Sequence, residues 1–327
     1  MERVTYLSLV DKIQTEADAY VYLERLRWHG TPVCPHCGSI GAHRFLEFAN
    51  GQSRRTNRGT QTYRRLWKCR DCHKQFSVLT NTIMHGSHVP VRTWVLIIFE
   101  MVSNKNGLAA REVERKYGLS PKTAWFVLHR VREAMMREPA ASLFSGVVIS
   151  DETWIGGEPR FRHASQRLGG RKVARSGSTE QTPVVSLINQ ETGEVRSQVV
   201  PRVNRKNIGT VIRQNVDIAN SVLHSDGSSV YKEIGPEFND HQSVNHIIGE
   251  YVRAGVTTNR VEGYFSQLKR SIDGTHHHVS EDHLPRYLAE FDFRYSTCKV
   301  TDTERLGMLM PKVAAKRVTY RPLTDHA

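Results

Sequence analysis

The sequence has no apolar run long enough to cross a bilayer. Its longest aliphatic stretch, residues 94–99, falls far short of the roughly 20 residues a spanning helix needs. Its opening, Met1-Glu2-Arg3-Val4-Thr5, runs into mixed polar sequence and shows no secretory leader. Cysteine is scarce: five in 327 residues, four of them in two CxxC pairs. That pattern excludes a disulfide framework and fits a metal site in a reducing compartment. Acid is also short, with 33 Asp and Glu against 46 Lys and Arg, a formal net charge of +13 and a pI near 9.7. A chain this basic is most simply read as one that binds a polyanion. The absences predict a cytoplasmic protein with no membrane contact, and the length leaves room for two or three domains.

The cysteine pairs are Cys34-Pro35-His36-Cys37 and Cys69-Arg70-Asp71-Cys72. Four thiolates make the tetrahedral set that a structural Zn²⁺ takes, so Cys34, Cys37, Cys69 and Cys72 are the expected ligands. Gly38 permits the tight turn such a knuckle needs. Tyr63-Arg64-Arg65-Leu66-Trp67-Lys68 alternates as the strands of a zinc ribbon do. A ribbon binds DNA, binds protein or caps a neighbour. Arg54, Arg55, Arg58, Arg64, Arg65 and Lys68 favour contact with phosphate. Cys298 stands apart as an ordinary small side chain.

From residue 91 to 138 the pattern turns helical, with Trp94, Val95, Ile98, Phe99 and Val102 on one face. Gly118 is placed to end a helix, and Ser120-Pro121 to open the next. Helix, short turn and helix is the helix-turn-helix signature, although helical hairpins without DNA function share it. Lys122, Thr123 and Arg130 are the expected DNA contacts. Glu138-Pro139 closes the helical region.

Beyond it the texture changes to strands, at 147–149, 184–188, 195–200 and 222–223, with a hairpin turn at Thr192-Gly193-Glu194 and a helix at 207–215. This order predicts an α/β domain, a mixed sheet flanked by helices. Asp151 ends one apolar run, Asp226 follows another, and 35 residues separate Asp226 from Glu262 on a helix-like stretch. On that stretch Asn259, Glu262, Ser266 and Lys269 share a face. Carboxylates at strand ends, joined by one from a helix, can hold two divalent ions about 3.5–4 Å apart for in-line attack on phosphate. No catalytic triad stands out. Between Glu158 and Glu180 lie Arg160, Arg162, Arg167, Arg171, Lys172 and Arg175 with no acid. That segment reads as a loop clamping backbone phosphate or as a solvated insert. His276-His277-His278 read as polar loop residues rather than as a second metal site.

The stretches Ser150-Asp151-Glu152-Thr153-Trp154-Ile155-Gly156-Gly157 and 259–270 resemble the DDE-type transposases of the IS1595 (ISXO2-like) insertion-sequence family. Asp273-Gly274-Thr275-His276-His277-His278-Val279-Ser280, Phe291-Asp292-Phe293-Arg294-Tyr295 and the cysteine module are similar too, so the likeness runs from about residue 15 to 300. It implies an RNase H-like core with Asp151 and Asp226 as ligands of catalytic Mg²⁺ (or Mn²⁺). Lys269 would act on phosphate or the DNA backbone. The third ligand stays open between Glu262, favoured by its charge, and Asn259, which some family members use. The implied activity is binding of terminal inverted repeats, strand cleavage and strand transfer into target DNA, by a homo-oligomer at the nucleoid. A regulator that has lost catalysis, or a nuclease without strand transfer, are the alternatives. The expected organisation is an N-terminal helical segment (1–30), zinc ribbon (31–85), helix-turn-helix segment (86–140), RNase H-like catalytic domain (141–305) and C-terminal tail (306–327).

Overall fold

The computed structural model describes residues 3–41, 43–47, 53–55, 61–137, 142–156, 181–244, 250, 252–253, 255–316 and 318–319. The chain divides into two compact units. The first takes Met1–Asn104, Leu108–Met135 and Val300–Ala327, the second Lys105–Gly107 and Met136–Lys299.

The first unit opens with α1 (Tyr6–Lys12) and α2 (Glu16–Trp28), each started by a threonine capping box, Thr5 with Ser8 and Thr15 with Asp18. The ribbon follows as β1 (His43–Leu46), β2 (Ser53–Arg55), β3 (Gln61–Tyr63), β4 (Leu66–Cys69) and β5 (Gln75–Phe76). Strands β1, β4 and β5 form an antiparallel sheet, and β2 pairs with β3 in a separate hairpin. The sheet packs on α2 through aromatic edges. Trp28 meets Trp67 and Phe76 with ring centroids 6.3 and 5.9 Å away. Beside them the buried Glu24 accepts hydrogen bonds from Arg65 Nε and Trp67 Nε1, both at 2.9 Å. Arg65 was expected at phosphate, and instead it neutralises Glu24 and lies over the Phe45 ring. A buried carboxylate left without that partner would be strongly destabilising. Arg58 lies outside the described residues.

Helix α3 (Val91–Ser103) is apolar nearly all round and buried along most of its length, which makes it the core of this unit. Pro90 cannot cap it. The Glu16 carboxylate does so from α2, accepting Val91 N at 2.5 Å and Arg92 N at 3.0 Å. Helix α4 (Ala110–Tyr117) ends at Gly118, whose φ of 63° is left-handed, and α5 (Pro121–Met135) opens behind Ser120, whose Oγ accepts Thr123 N. Lys122 is exposed and Thr123 half-buried. Arg130 corrects the expectation placed on it. It is 3 % exposed, donates to His85 O at 2.6 Å and lies over the rings of Trp94 and Phe126. It is a core contact.

The boundary expected between residues 305 and 306, where a C-terminal tail was to begin, falls inside the helix Asp302–Leu309, and the described residues from Val300 onward close the first unit. Val4 N donates to Thr303 Oγ1, Arg305 Nη1 to Val102 O, and Ile83 N to Val313 O.

The second unit runs β6 (Phe144–Ile155), β7 (Thr182–Asn189), β8 (Val195–Val199), α6 (Arg205–Asn215), β9 (Val216–Asp226), α7 (Ser229–Ile234), β10 (Asp240–Val244), α8 (Asn259–Ser271) and α9 (Leu284–Ser296). Its sheet has the order β10-β9-β6-β7-β8. Strands β6, β7 and β8 are an antiparallel meander, whereas β9 lies parallel to β6 and β10 parallel to β9. Both faces are covered, and alternation along β6 sorts the residues. Ile149 enters the core made with α8 and α9, and Val148 the core made with α6 and α7. A buried polar knot ties α8 and α9 to the meander: Tyr264 Oη and Ser197 Oγ donate to Asp292 Oδ1 at 2.6 and 2.7 Å, and Ser197 N donates to Oδ2 at 2.7 Å.

Candidate active site

The two aspartates meet because β6 and β9 are parallel neighbours. Val147 pairs with Val222 and Ile149 with His224. Two residues further along each strand come Asp151 and Asp226. Side chains repeat every second residue, so both carboxylates sit on the face that α8 and α9 cover. Asp151 is not at the end of its own strand, because β6 continues to Ile155 against β7. It stands where β9 ends.

Helix α8 brings Glu262 in its first turn, the carboxylate accepting from Thr258 Oγ1 at 2.9 Å. Both other charges act on Asp151. The Asp151 carboxyl is pushed up to about 8, first by burial and further by Glu152, Asp226 and Glu262, against the Glu152 N–H that bonds it at 2.7 Å. Asn259 is the first residue of α8 and is exposed, its own N–H bonded to Thr257 Oγ1. Ser266 and Lys269 are exposed along the helix, while Val261, Tyr264, Phe265 and Leu268 are buried.

Three residues to which the sequence assigned no role stand beside this group. Ser150 and Glu152 flank Asp151 and point to the opposite face, where the fully buried Tyr231 of α7 reaches both. Its hydroxyl donates to Glu152 Oε2 at 2.9 Å and lies 3.0 Å from Ser150 Oγ. Glu152 is held above its ordinary range by burial and by Asp226, against the Tyr231 bond. The signal was present as two polar residues at alternate positions of an otherwise buried strand face. The basic segment expected to clamp phosphate, 158–180, lies outside the described residues. The histidine run belongs to the edge of the helical core: His276 stacks against Tyr287 and Phe291, with ring centroids 4.9 and 6.1 Å away.

Oxygen ligands of this kind suit a hard divalent cation. The acids are more widely spread than the thiols of the ribbon. Among the described residues, Cys34, Cys37, Cys69 and Cys72 are the group whose ligand atoms all lie within 4.8 Å of one another.

The ribbon fits Zn²⁺ closely. Cys34 and Cys72 sulfurs lie 3.7 Å apart, as do those of Cys37 and Cys69. A ZnS₄ tetrahedron with bonds near 2.3 Å has edges of about 3.8 Å. Each knuckle is shaped by the backbone: Cys34 N donates to Ser39 O and Cys69 N to Lys74 O, while Gly38 takes a φ of 77°. Because the same sheet carries Trp67 and Phe76 onto α2, zinc held by these cysteines would support more than the ribbon. Chelation is expected to release one zinc per chain and redden the tryptophan emission, as Trp28 and Trp67 lose their packing. An unchanged spectrum after complete zinc release would contradict this.

Sequence comparison supports the same assignment for both units. Residues 143–296 match the model of the ISXO2-like transposase domain, and residues 14–75 the model of the transposase zinc-ribbon domain. Such a pairing of modules defines a transposase. The chain belongs to the IS1595 (ISXO2-like) family of insertion-sequence transposases. It is also 23% identical over 303 residues to an uncharacterized protein in transposable element ISH50 of Halobacterium salinarum, an alignment covering 90% of this chain and 96% of that one. Among the described residues, no helix is long and apolar enough to cross a membrane.

Proposed function

We propose that the second unit is an RNase H-like catalytic core that cuts and joins DNA strands with divalent metal, and that the first unit recognises the element's terminal inverted repeats. The observation that carries this reading is the placement of Asp151 and Asp226 on adjacent parallel strands, with Glu262 of α8 close enough for its charge to act on Asp151. The order β10-β9-β6-β7-β8, three antiparallel strands followed by two parallel ones, supports the RNase H-like assignment. The Gly118 turn between α4 and α5 supports the helix-turn-helix reading, with Lys122 and Thr123 at the start of the reading helix.

In this mechanism Asp151 and Asp226 hold the cation site from the sheet, and Glu262 closes it from the helix. Two Mg²⁺ (or Mn²⁺) ions bound there supply Lewis-acid activation of the attacking oxygen and neutralise charge on the leaving one. The carboxylates fix where the scissile phosphate lies, and Lys269 contacts the strand beside it. Hydrolysis frees a 3′-hydroxyl at the element end, and the same centre orients that hydroxyl toward target DNA. Two ends must be joined, so the working species on DNA is at least a dimer acting at the nucleoid.

The test uses the full-length protein and a duplex carrying an element end. Mg²⁺-dependent release of a 3′-hydroxyl, followed by its joining to a target duplex, is expected. Cleavage that persists unchanged in chelator would exclude this reading. Glu262→Gln is expected to lower cleavage by at least about 100-fold and Asn259→Ala by less than about threefold. The reverse ranking would move the third ligand to Asn259.

A further inference from the structure

The backbone ladder between β6 and β9 stops short of the carboxylates. Among the described residues its last pair is Ile149 with His224, two residues before Asp151 and Asp226. Beyond that point β6 continues against β7, and β9 against β10 as far as Asp226 with Val244. Main-chain pairing therefore holds each aspartate to its outer neighbour rather than to the other. Something else must set the spacing between them.

Tyr231 spans this gap. It lies five residues after Asp226 on α7, and the turn between them is fixed by Ser228 N donating to Asp226 Oδ1 at 3.2 Å. From the other direction, its hydroxyl bonds the two residues that bracket Asp151, accepting from Ser150 and donating to Glu152. The side chain is fully buried, so neither bond competes with water. Ser150 and Glu152 point away from the face that holds Asp151, which puts the tie behind the sheet. We propose that Tyr231 is a positioning residue that sets the Asp151–Asp226 separation, through Ser150 and Glu152, where the strand ladder no longer does. The proposal rests on Asp151 and Asp226 being the metal ligands.

Loss of a group that orients a metal ligand costs about 10–100-fold in metal affinity or activity. In full-length protein on an element-end duplex, Tyr231→Phe is expected to raise the Mg²⁺ concentration for half-maximal cleavage by that factor, with end binding unchanged. Cleavage should recover in Mn²⁺, because Mg²⁺ demands the more exact octahedron. Glu152→Gln, whose amide oxygen accepts the same bond, is expected to lose less than Tyr231→Phe. A Tyr231→Phe titration that overlays the wild type overturns the proposal. So does an equal loss in both metals accompanied by a large fall in melting temperature, which marks a structural role. A Glu152→Gln loss as deep as that of Asp226→Ala also overturns it, by making Glu152 a ligand. If Asp226→Ala itself still cleaves, the ligand assignment fails first and the proposal with it.

Discussion

Asp226→Ala is expected to abolish strand cleavage, by on the order of 10³-fold or more, while end binding stays within about threefold of the wild type. The magnitude follows from rank: groups that merely orient a ligand cost about 10–100-fold, so a ligand itself should cost more. The selectivity follows from the two units. Asp226 belongs to the second, whereas the ribbon and the α4–α5 pair belong to the first. The fold should survive, because Asp226 is only half-buried and its carboxylate accepts a backbone bond from Ser228. Gel-shift and cleavage assays on one duplex, across a Mg²⁺ series, check it. Equal loss of binding and cleavage would sink the assignment of Asp226 to catalysis.

Asp151→Asn is expected to stabilise the metal-free protein at alkaline pH while removing cleavage. The Asp151 carboxyl is raised from 3.8 to about 8 in the fold, burial being the largest cause. The folded state therefore binds more protons than the unfolded chain between about pH 4 and 8, and linkage makes stability fall as pH rises through that window. Asparagine has no proton to lose, so the variant should not show that fall. Full conversion of the shift would overstate the gain, because the side chain is only partly buried from solvent. We expect about 1–3 kcal/mol at pH 8, or roughly 3–10 °C in melting temperature. Mg²⁺ or Mn²⁺ should stabilise wild type and have little effect on the variant. The check is calorimetry from pH 5 to 8.5 in chelator and then with metal. A wild-type melting temperature flat across that range would refute the coupling. Sites that hold charge apart from its counterion commonly trade stability for activity in this way.

Much of this site was legible in the residues themselves. The CxxC spacing gave the sulfur cluster, because four thiolates have few other uses in such a pattern. Asp151 and Asp226 were legible as polar interruptions of apolar β-branched runs, and Glu262 by its place on a helical face. What periodicity could not reveal was pairing. Asp151 was read as the end of a strand, whereas β6 runs on to Ile155 because β7 continues beside it. Arg65 and Arg130 were counted as basic surface, yet Glu24 and the Trp94 and Phe126 rings draw them inward. Glu24 and Trp94 are distant in sequence from the arginines they hold, and a local window holds no trace of them. Tyr231 and Glu152 escaped notice for the same reason: the bond that joins them crosses 79 positions of the chain.

The bonds that close the first unit also bear on how the protein is made. The first unit is closed by residues after Val300, so in the sequence the second unit is an insertion within it. During synthesis the second unit is complete while the first still lacks Thr303, Arg305 and Val313, which bond Val4, Val102 and Ile83. The part proposed to grip DNA thus matures last. A polypeptide cut short anywhere in the second unit lacks these closing bonds, and its N-terminal part is expected to be less stable than in the full chain. Completion of the first unit waits on translation of the whole second unit, so its full set of bonds reports a chain read through at least to Val313.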